Sequence, residues 1–407
     1  MEPKSILIFG AGKIGRSFIG QLFGLSGYEV AFVDVDTELV NELNRRKGYP
    51  VIIKDEKEQR LWIPNVRAVS GLYRQPVLAE ITKASIMAVS VGKNALEKVL
   101  PVIAEGLKAR YDENSDQPID IIIAENMRSA ANFVRNKLKA LLPRDYPFDK
   151  LVGLVETSIG KMVPMMTEAD LKEDSLQVFA ESYNDLILDK NGFKGPVPEV
   201  AGLCPKENIK AWVDRKAFIH NLGHATSAYA GNFYQPGIIY IYEALSDEKI
   251  FDIVQRTMLQ SAQILVQLYP DEFTIAELEK HAFELLSRFQ NKALKDTISR
   301  VGRDLPRKLG VNDRFAGIMR LARQKSLPYH LIPKAMAYGF FFEGLNEKGE
   351  SAASDKKFIR TAARGINQAL VQFCGFHAEK DRELIDEITQ QYKKLKQLNR
   401  KNHFISG

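Results

Sequence analysis

Apolar residues in the first half of this 407-residue chain come in short unbroken runs rather than in alternation with polar ones. Residues 6–9, 29–35, 85–91, 119–124 and 151–156 each read as a strand buried on both faces. Between them, apolar positions recurring every three to four residues predict helices over 14–25, 37–46, 95–109 and 129–142. Strands alternating with helices imply a parallel sheet covered on both sides. Residues 49–69 break the rhythm and read as an inserted hairpin or short antiparallel excursion, since Trp62-Ile63-Pro64 ends a β-rich run.

The pattern changes after Gly195-Pro196-Val197-Pro198, a stretch that reads as a domain border. Beyond it, long periodic segments such as 250–268, 275–287 and 381–395 are helical and strand signals cease. The expected architecture is a doubly wound α/β domain over residues 1–198 followed by an all-α domain over 199–407. Two domains suit the length, because a single core stops growing near 250–300 residues.

Composition adds exclusions. Hydrophobic residues make up 45% and charged residues 27%, which is ordinary for a globular protein. Cys204 and Cys374 are the only cysteines, too few for a disulfide framework and without zinc-ligand spacing, so metal-free chemistry in a reducing compartment is expected. The first apolar run is cut at Gly10, too short for a signal-peptide core, and no stretch is long enough to cross a bilayer. These points make a cytoplasmic protein with no membrane partner the expectation.

The net charge of +6 is local: residues 288–325 carry eleven Lys/Arg against three Asp/Glu. A solvated helix face and an anion site both account for it. Aromatic residues are not interleaved with the basic ones, which argues against a nucleic-acid partner.

Gly10-Ala11-Gly12-Lys13-Ile14-Gly15 follows one predicted strand and opens a predicted helix. In such a Gly-x-Gly-x-x-Gly turn the first glycine allows the bend, the second lets the backbone approach a diphosphate, and the third permits close helix packing. Helix N–H groups and the helix dipole then favour the anion. Asp34, at the end of the second strand, is placed to accept from the ribose hydroxyls of NAD and to repel the extra phosphate of NADP. The first domain is therefore expected to be of the Rossmann type and to bind NAD. FAD is a poorer match, because no further flavin signal follows.

Two other places offer chemistry. Asn126 follows the strand 119–124 directly, where ligands bind in a parallel sheet; it can donate to a substrate oxygen or cap the next helix. The run Arg215-Lys216-Ala217-Phe218-Ile219-His220-Asn221-Leu222-Gly223-His224 opens the helical domain. On a regular helix Lys216 lies about 140° from Asn221 and about 80° from His224, so a shared face demands an irregular turn or a long side chain. By spacing alone Lys216 reads as a surface lysine and His224 as a satisfied core histidine.

Here the chain resembles a known family. Arg215-Lys216, Asn221 and His224-Ala225-Thr226 are similar to the signature of the polyol-specific long-chain dehydrogenases, above all their mannitol-1-phosphate 5-dehydrogenase branch. Gly10 to Arg16, Glu125-Asn126-Met127, Arg288-Phe289-Gln290-Asn291, Leu294-Lys295-Asp296 with Arg300-Val301-Gly302-Arg303, and Arg307-Lys308-Leu309 match in the same order across both domains. The resemblance implies an NAD-dependent enzyme interconverting mannitol 1-phosphate and fructose 6-phosphate, as a monomer or homodimer. It implies that Lys216 is the general acid/base, that Asn126 and Asn221 stabilise the oxyanion, that His224 holds a hydroxyl, and that Arg300 and Lys308 line the polyol site.

The local charge surplus adds Arg303 and Arg307 as candidate phosphate ligands, since helical spacing from Arg300 puts all three on one face unless Pro306 interrupts it. One departure is Gly160-Lys161-Met162-Val163-Pro164, where relatives carry Asp-Arg. A hexuronate (tagaturonate or fructuronate) reductase and a free-polyol dehydrogenase of the same family are the rival readings. A β-hydroxyacid dehydrogenase has a shorter Lys-to-Asn spacing, and a non-enzymatic NAD sensor has no need of the catalytic set.

Overall fold

The computed structural model describes residues 4–113, 116–345 and 349–405. The chain divides into two compact units, residues 1–213 and 214–407.

The first unit is built on an eight-stranded sheet. Strands β1 (Ser5–Phe9), β2 (Glu29–Asp34), β5 (Val66–Ser70), β6 (Ile86–Val89), β7 (Ile119–Ile123) and β8 (Val152–Ser158) are parallel, in the order β5-β2-β1-β6-β7-β8. That is the doubly wound order in which ligands bind beyond the carboxyl ends of the strands. The unbroken apolar runs are explained by burial on both faces. Ile6, Ile8, Val30 and Phe32 join Phe18, Leu22 and Phe23 on one side, while Leu7, Phe9, Ala31 and Val33 join Leu96, Leu100 and Leu107 on the other.

Helix Thr37–Arg46 begins and ends where its sequence indicates, with Asp36 accepting from Leu39 N–H at 3.0 Å as its cap. β3 (Gly48–Ile53) and β4 (Gln59–Pro64) form the expected antiparallel hairpin. Val66–Ser70, expected within the same excursion, instead returns as a parallel strand beside β2. Helix Arg74–Lys83 and strands β9 (Val178–Ala180), β10 (Leu186–Asp189) and β11 (Leu203–Lys206) had no clear pattern. β9 pairs with β3, and β10 and β11 extend the main sheet past β8.

These late strands move the domain border. The Gly195–Pro198 stretch is not a linker: Lys194 and Gly195 N–H groups donate to the buried Asp120 carboxylate on β7 at 2.7 and 3.1 Å. The chain then returns as β11, so the division falls after Val213.

The second unit is helical among its described residues apart from a single bridge between Tyr240 and Thr297. Helix Leu222–Tyr234 is buried along most of its length, with Thr226 and Ser227 hydroxyls satisfied by carbonyls four residues back. Helices Glu248–Leu268 and Ile275–Phe289 follow, close to their expected bounds, and helix Arg382–Ile405 ends the described chain.

Candidate active site

In the first unit β1 hands the chain to a left-handed Gly10, φ 96°, whose N–H donates to Val33 O at 2.8 Å. A Cβ on Gly10 would lie 2.7 Å from Ser90 O, and one on Gly15 would lie 2.0 Å from Gly10 O. Both positions are closed to any side chain. Gly12 is different: a Cβ there would meet no atom within 4 Å, which leaves open space above the loop. Asp34 Oδ2 accepts from Ala11 N–H at 2.7 Å and Oδ1 from Asp36 N–H at 3.0 Å, so the acidic residue is tied to the glycine turn. Lys13 and Ile14 open the helix, which widens into a π-helical segment, Gly15–Gly20.

Arg16 was part of the matched run without a role. Its buried guanidinium donates to Ala11 O at 2.7 Å and Leu176 O at 2.5 Å, bracing the loop from beneath. Asn126 lies exposed just past the end of β7. It does not cap the next helix, which starts at Ala130 with Ser129 at the cap position. Its neighbour Glu125 is buried and accepts from Gly92 N–H at 2.8 Å, joining the ends of β6 and β7.

In the second unit Lys216–Asn221 is not α-helical. It is a π-helical turn, closed by bonds to the fifth residue along. Residues five apart then return to about the same side of the helix, which resolves the angular mismatch between Lys216 and Asn221. Lys216 is largely buried. Burial, with Arg314 and Arg307 adding to it and Asp313 opposing, pushes its ammonium down to about 7.

Eight residues on from Lys216, His224 stacks on Phe289 at 4.6 Å and sets Nε2 2.8 Å from Asp296 Oδ2. Arg300 holds Asp296 Oδ1 through Nε at 2.7 Å and Nη2 at 2.5 Å. Burial pushes the His224 imidazole below its usual range, with Asp296 opposing. Lys308 is buried, donates to Val301 O, and is pushed well down by burial and by Arg314 and Arg307.

The expected single face of Arg300, Arg303 and Arg307 does not form. Helix Ile298–Gly302 ends before Arg303, Asp304 takes φ 73°, and a new helix, Leu305–Lys308, starts with Pro306 in its first turn. Asp355 accepts from Asp304 and Leu305 N–H at 2.8 and 2.9 Å, which fixes the break. Arg307 turns to Asp304 and lies 3.7 Å from Asp313, whereas Arg303 is exposed at the end of its helix.

Comparison with known proteins decides the family. The mannitol dehydrogenase Rossmann domain matches residues 4–202 and the mannitol dehydrogenase C-terminal domain matches residues 208–396. The chain belongs to the mannitol dehydrogenase family. Among solved structures it is similar to Pseudomonas fluorescens mannitol 2-dehydrogenase, determined as a ternary complex with NAD and D-mannitol. The TM-score is 0.75 at 14% identity, over 99% of this chain and 94% of that one. Weaker similarity extends to a 2-dehydropantoate 2-reductase from Geobacter metallireducens GS-15 (TM-score 0.49, 13% identity, 82% and 98% covered). A ketopantoate reductase from Ralstonia eutropha JMP134 stands at the same score (12% identity, 83% and 97% covered).

Within this member of the mannitol dehydrogenase family, two residues beside the candidate site carried no role in the sequence. Asp296 had a signal, since it sits four residues before Arg300, a spacing at which helical ion pairs meet. Arg314 had none; its importance comes from a fold that sets a buried guanidinium against Asn221 O at 3.2 Å. Among the described residues no group of three or more His, Cys, Asp or Glu is placed to hold a metal, and no helix is long and apolar enough to cross a membrane.

Proposed function

We propose that this chain is an NAD-dependent oxidoreductase that interconverts mannitol 1-phosphate and fructose 6-phosphate. The observation that carries the reading is Lys216: a largely buried lysine on the same π-turn as Asn221, its ammonium pushed down to about 7 by burial. A general acid/base works best when its pKa lies near the operating pH. In oxidation neutral Lys216 takes the hydroxyl proton of the substrate; in reduction its ammonium returns it. Asn221 is the donor to the oxygen on which charge develops. His224, held neutral by burial and set with Nε2 beside Asp296 Oδ2, is the group that meets a second substrate hydroxyl. Arg300 and Lys308 complete the polyol contacts. Asn126, an oxyanion donor by the family resemblance, stands at the carboxyl end of β7, where ligands of parallel sheets bind.

For the cofactor, Gly10, Ala11, Gly12, Lys13, Ile14 and Gly15 supply the diphosphate turn and Asp34 the ribose acceptor. The open space over Gly12 and the tether of Asp34 to Ala11 fit a dinucleotide. NAD supplies the hydride acceptor.

Arg303, exposed at the end of helix Ile298–Gly302, is the better phosphate ligand of the two candidates, because Arg307 already faces Asp304 and Asp313. That same neutralisation favours a second reading, a free polyol such as the D-mannitol bound by the Pseudomonas enzyme. NADH oxidation by purified protein with fructose 6-phosphate, fructose and tagaturonate separates the readings. Turnover confined to the phosphate supports the proposal; turnover with fructose or tagaturonate alone rejects the phosphate assignment and leaves the lysine chemistry standing.

A further inference from the structure

A π-turn is less stable than the α-helix it interrupts and survives where the surroundings hold it. Two side chains from elsewhere in the second unit hold this one, and both bind its carbonyls. Ser261 Oγ, fully buried on helix Glu248–Leu268, donates to Phe218 O at 2.6 Å. Arg314 Nη1 donates to Asn221 O at 3.2 Å. Arg314 is itself immobilised: its backbone N–H and its Nε both donate to Asp313 Oδ1, at 2.7 and 2.8 Å. The helix that follows, Ala316–Gln324, presses directly on the turn, since a Cβ on Gly317 would lie 2.9 Å from Phe218 Cε1.

We propose that Arg314 is a positioning residue for the reaction, holding the Lys216–Asn221 π-turn at Asn221 O while Ser261 holds it at Phe218 O. The inference rests on the reading of Lys216 as the general acid/base. The clamp keeps the lysine and Asn221 on one side of the helix, a geometry that an α-helical relaxation would undo by about 90°. Arg314 also brings a fixed positive charge to the lysine. The charged groups acting on Lys216 are Arg314 and Arg307, which disfavour its ammonium, and Asp313, which favours it. On its own turn His220 is buried and held neutral by burial and the surrounding cations. Removing Arg314 therefore frees the turn, raises the basicity of Lys216 and leaves Asp313 less compensated.

The test compares Arg314→Met, Arg314→Lys and Ser261→Ala with the parent, following the pH dependence of kcat for oxidation and reduction. NADH binding and melting temperature serve as checks on folding. Arg314→Met is expected to lower kcat roughly ten- to a hundredfold, the effect of a misplaced catalytic group, and to move the oxidation midpoint up by about one pH unit. Arg314→Lys restores the midpoint but not the full rate, because the charge returns without the guanidinium reach. Ser261→Ala lowers kcat with the midpoint unmoved. A folded Arg314→Met with parental kcat and midpoint overturns the proposal; if that variant fails to fold, unchanged rates in both Arg314→Lys and Ser261→Ala overturn it. Activity surviving in Lys216→Ala rejects the underlying reading of the lysine, whereas loss in Lys216→Ala beside an unaffected Arg314→Met rejects only the clamp.

Discussion

His224 Nε2 lies 2.8 Å from Asp296 Oδ2, and the other oxygen of that carboxylate is taken by Arg300. Burial pushes Asp296 up, but His224 and Arg300 outweigh it and hold the carboxyl below its usual range. The histidine is thereby held between this carboxylate and a Phe289 ring only 9° from parallel. Asp296→Asn keeps the shape and removes the charge. It is expected to lower kcat/KM for the polyol roughly ten- to a hundredfold with the KM for NADH unchanged, as loss of an orienting carboxylate does elsewhere. Stability should fall by about 2–3 kcal/mol, because a charged hydrogen-bond partner is lost at a buried position. Denaturant unfolding beside steady-state kinetics checks both.

With Lys216 held near 7, oxidation requires its neutral form and reduction its ammonium. The rate of polyol oxidation should rise as pH passes through about 7, and the rate of ketose reduction should fall over the same interval. Lys216→Ala should remove both dependences along with most of the activity. Equal, flat profiles in the two directions for the unmodified protein would rule out this lysine as the proton carrier.

Arg303 and Arg307 are predicted to separate. Arg303→Ala should raise the KM for fructose 6-phosphate by about tenfold or more, the value of one charge-assisted contact. Arg307→Ala should have a smaller effect on KM, since its guanidinium already faces Asp304 and Asp313. Unchanged Michaelis constants in both variants would mean that the basic segment is not a phosphate site.

The second unit should be acid-labile. His220, His224 and His281 are all pushed below the ordinary imidazole range, first by burial, and His281 reaches about 3 under the added influence of Arg215 and Arg288. Each stays neutral when folded but takes a proton when unfolded below about 6.5. The unfolded state then binds more protons, so stability is lost as pH falls from about 6.5 toward the folded value, by up to about 1.4 kcal/mol per pH unit per histidine. His281→Gln should flatten the decline in melting temperature between pH 7 and 5. A slope identical to the parent would show that His281 titrates normally.

Asp34 is predicted to select the cofactor. Asp34→Ala removes both the ribose acceptor and the tether to Ala11. The Kd for NADH should rise at least about tenfold, and the preference over NADPH should shrink because a repulsive charge has gone. Fluorescence titration with the two dinucleotides decides it.

Much of the first unit was legible because local patterns there report burial directly. The runs at β1, β2, β6, β7 and β8 are apolar on both sides since both faces of the sheet are covered. Helix Thr37–Arg46 carries its own cap in Asp36. The short strands β9, β10 and β11 were not legible, being three or four residues long and set by pairing with one another and with β3 and β8 rather than by a pattern of their own. The division after Val213 differs from a border at Gly195–Pro198 for a related reason: a Gly/Pro stretch looks the same whether it is a linker or a loop anchored to a buried Asp120.

By itself the sequence supplied the candidates for the chemistry: the glycine turn with Asp34, the lysine, the asparagines, the histidine and the cations. Their arrangement was decided in three dimensions. Helical spacing placed Lys216 and Asn221 apart, and a π-turn brings them round. Helical spacing also grouped Arg300, Arg303 and Arg307, and a left-handed Asp304 anchored through Asp355 divides them. In both cases the deciding bonds come from far along the chain: Ser261 is 43 residues from Phe218, Arg314 is 93 from Asn221, and Asp355 is 51 from Asp304. A local pattern reports the preference of a segment for its own backbone. It carries no trace of a distant side chain whose hydrogen bond tips a marginal turn from one helical form to another.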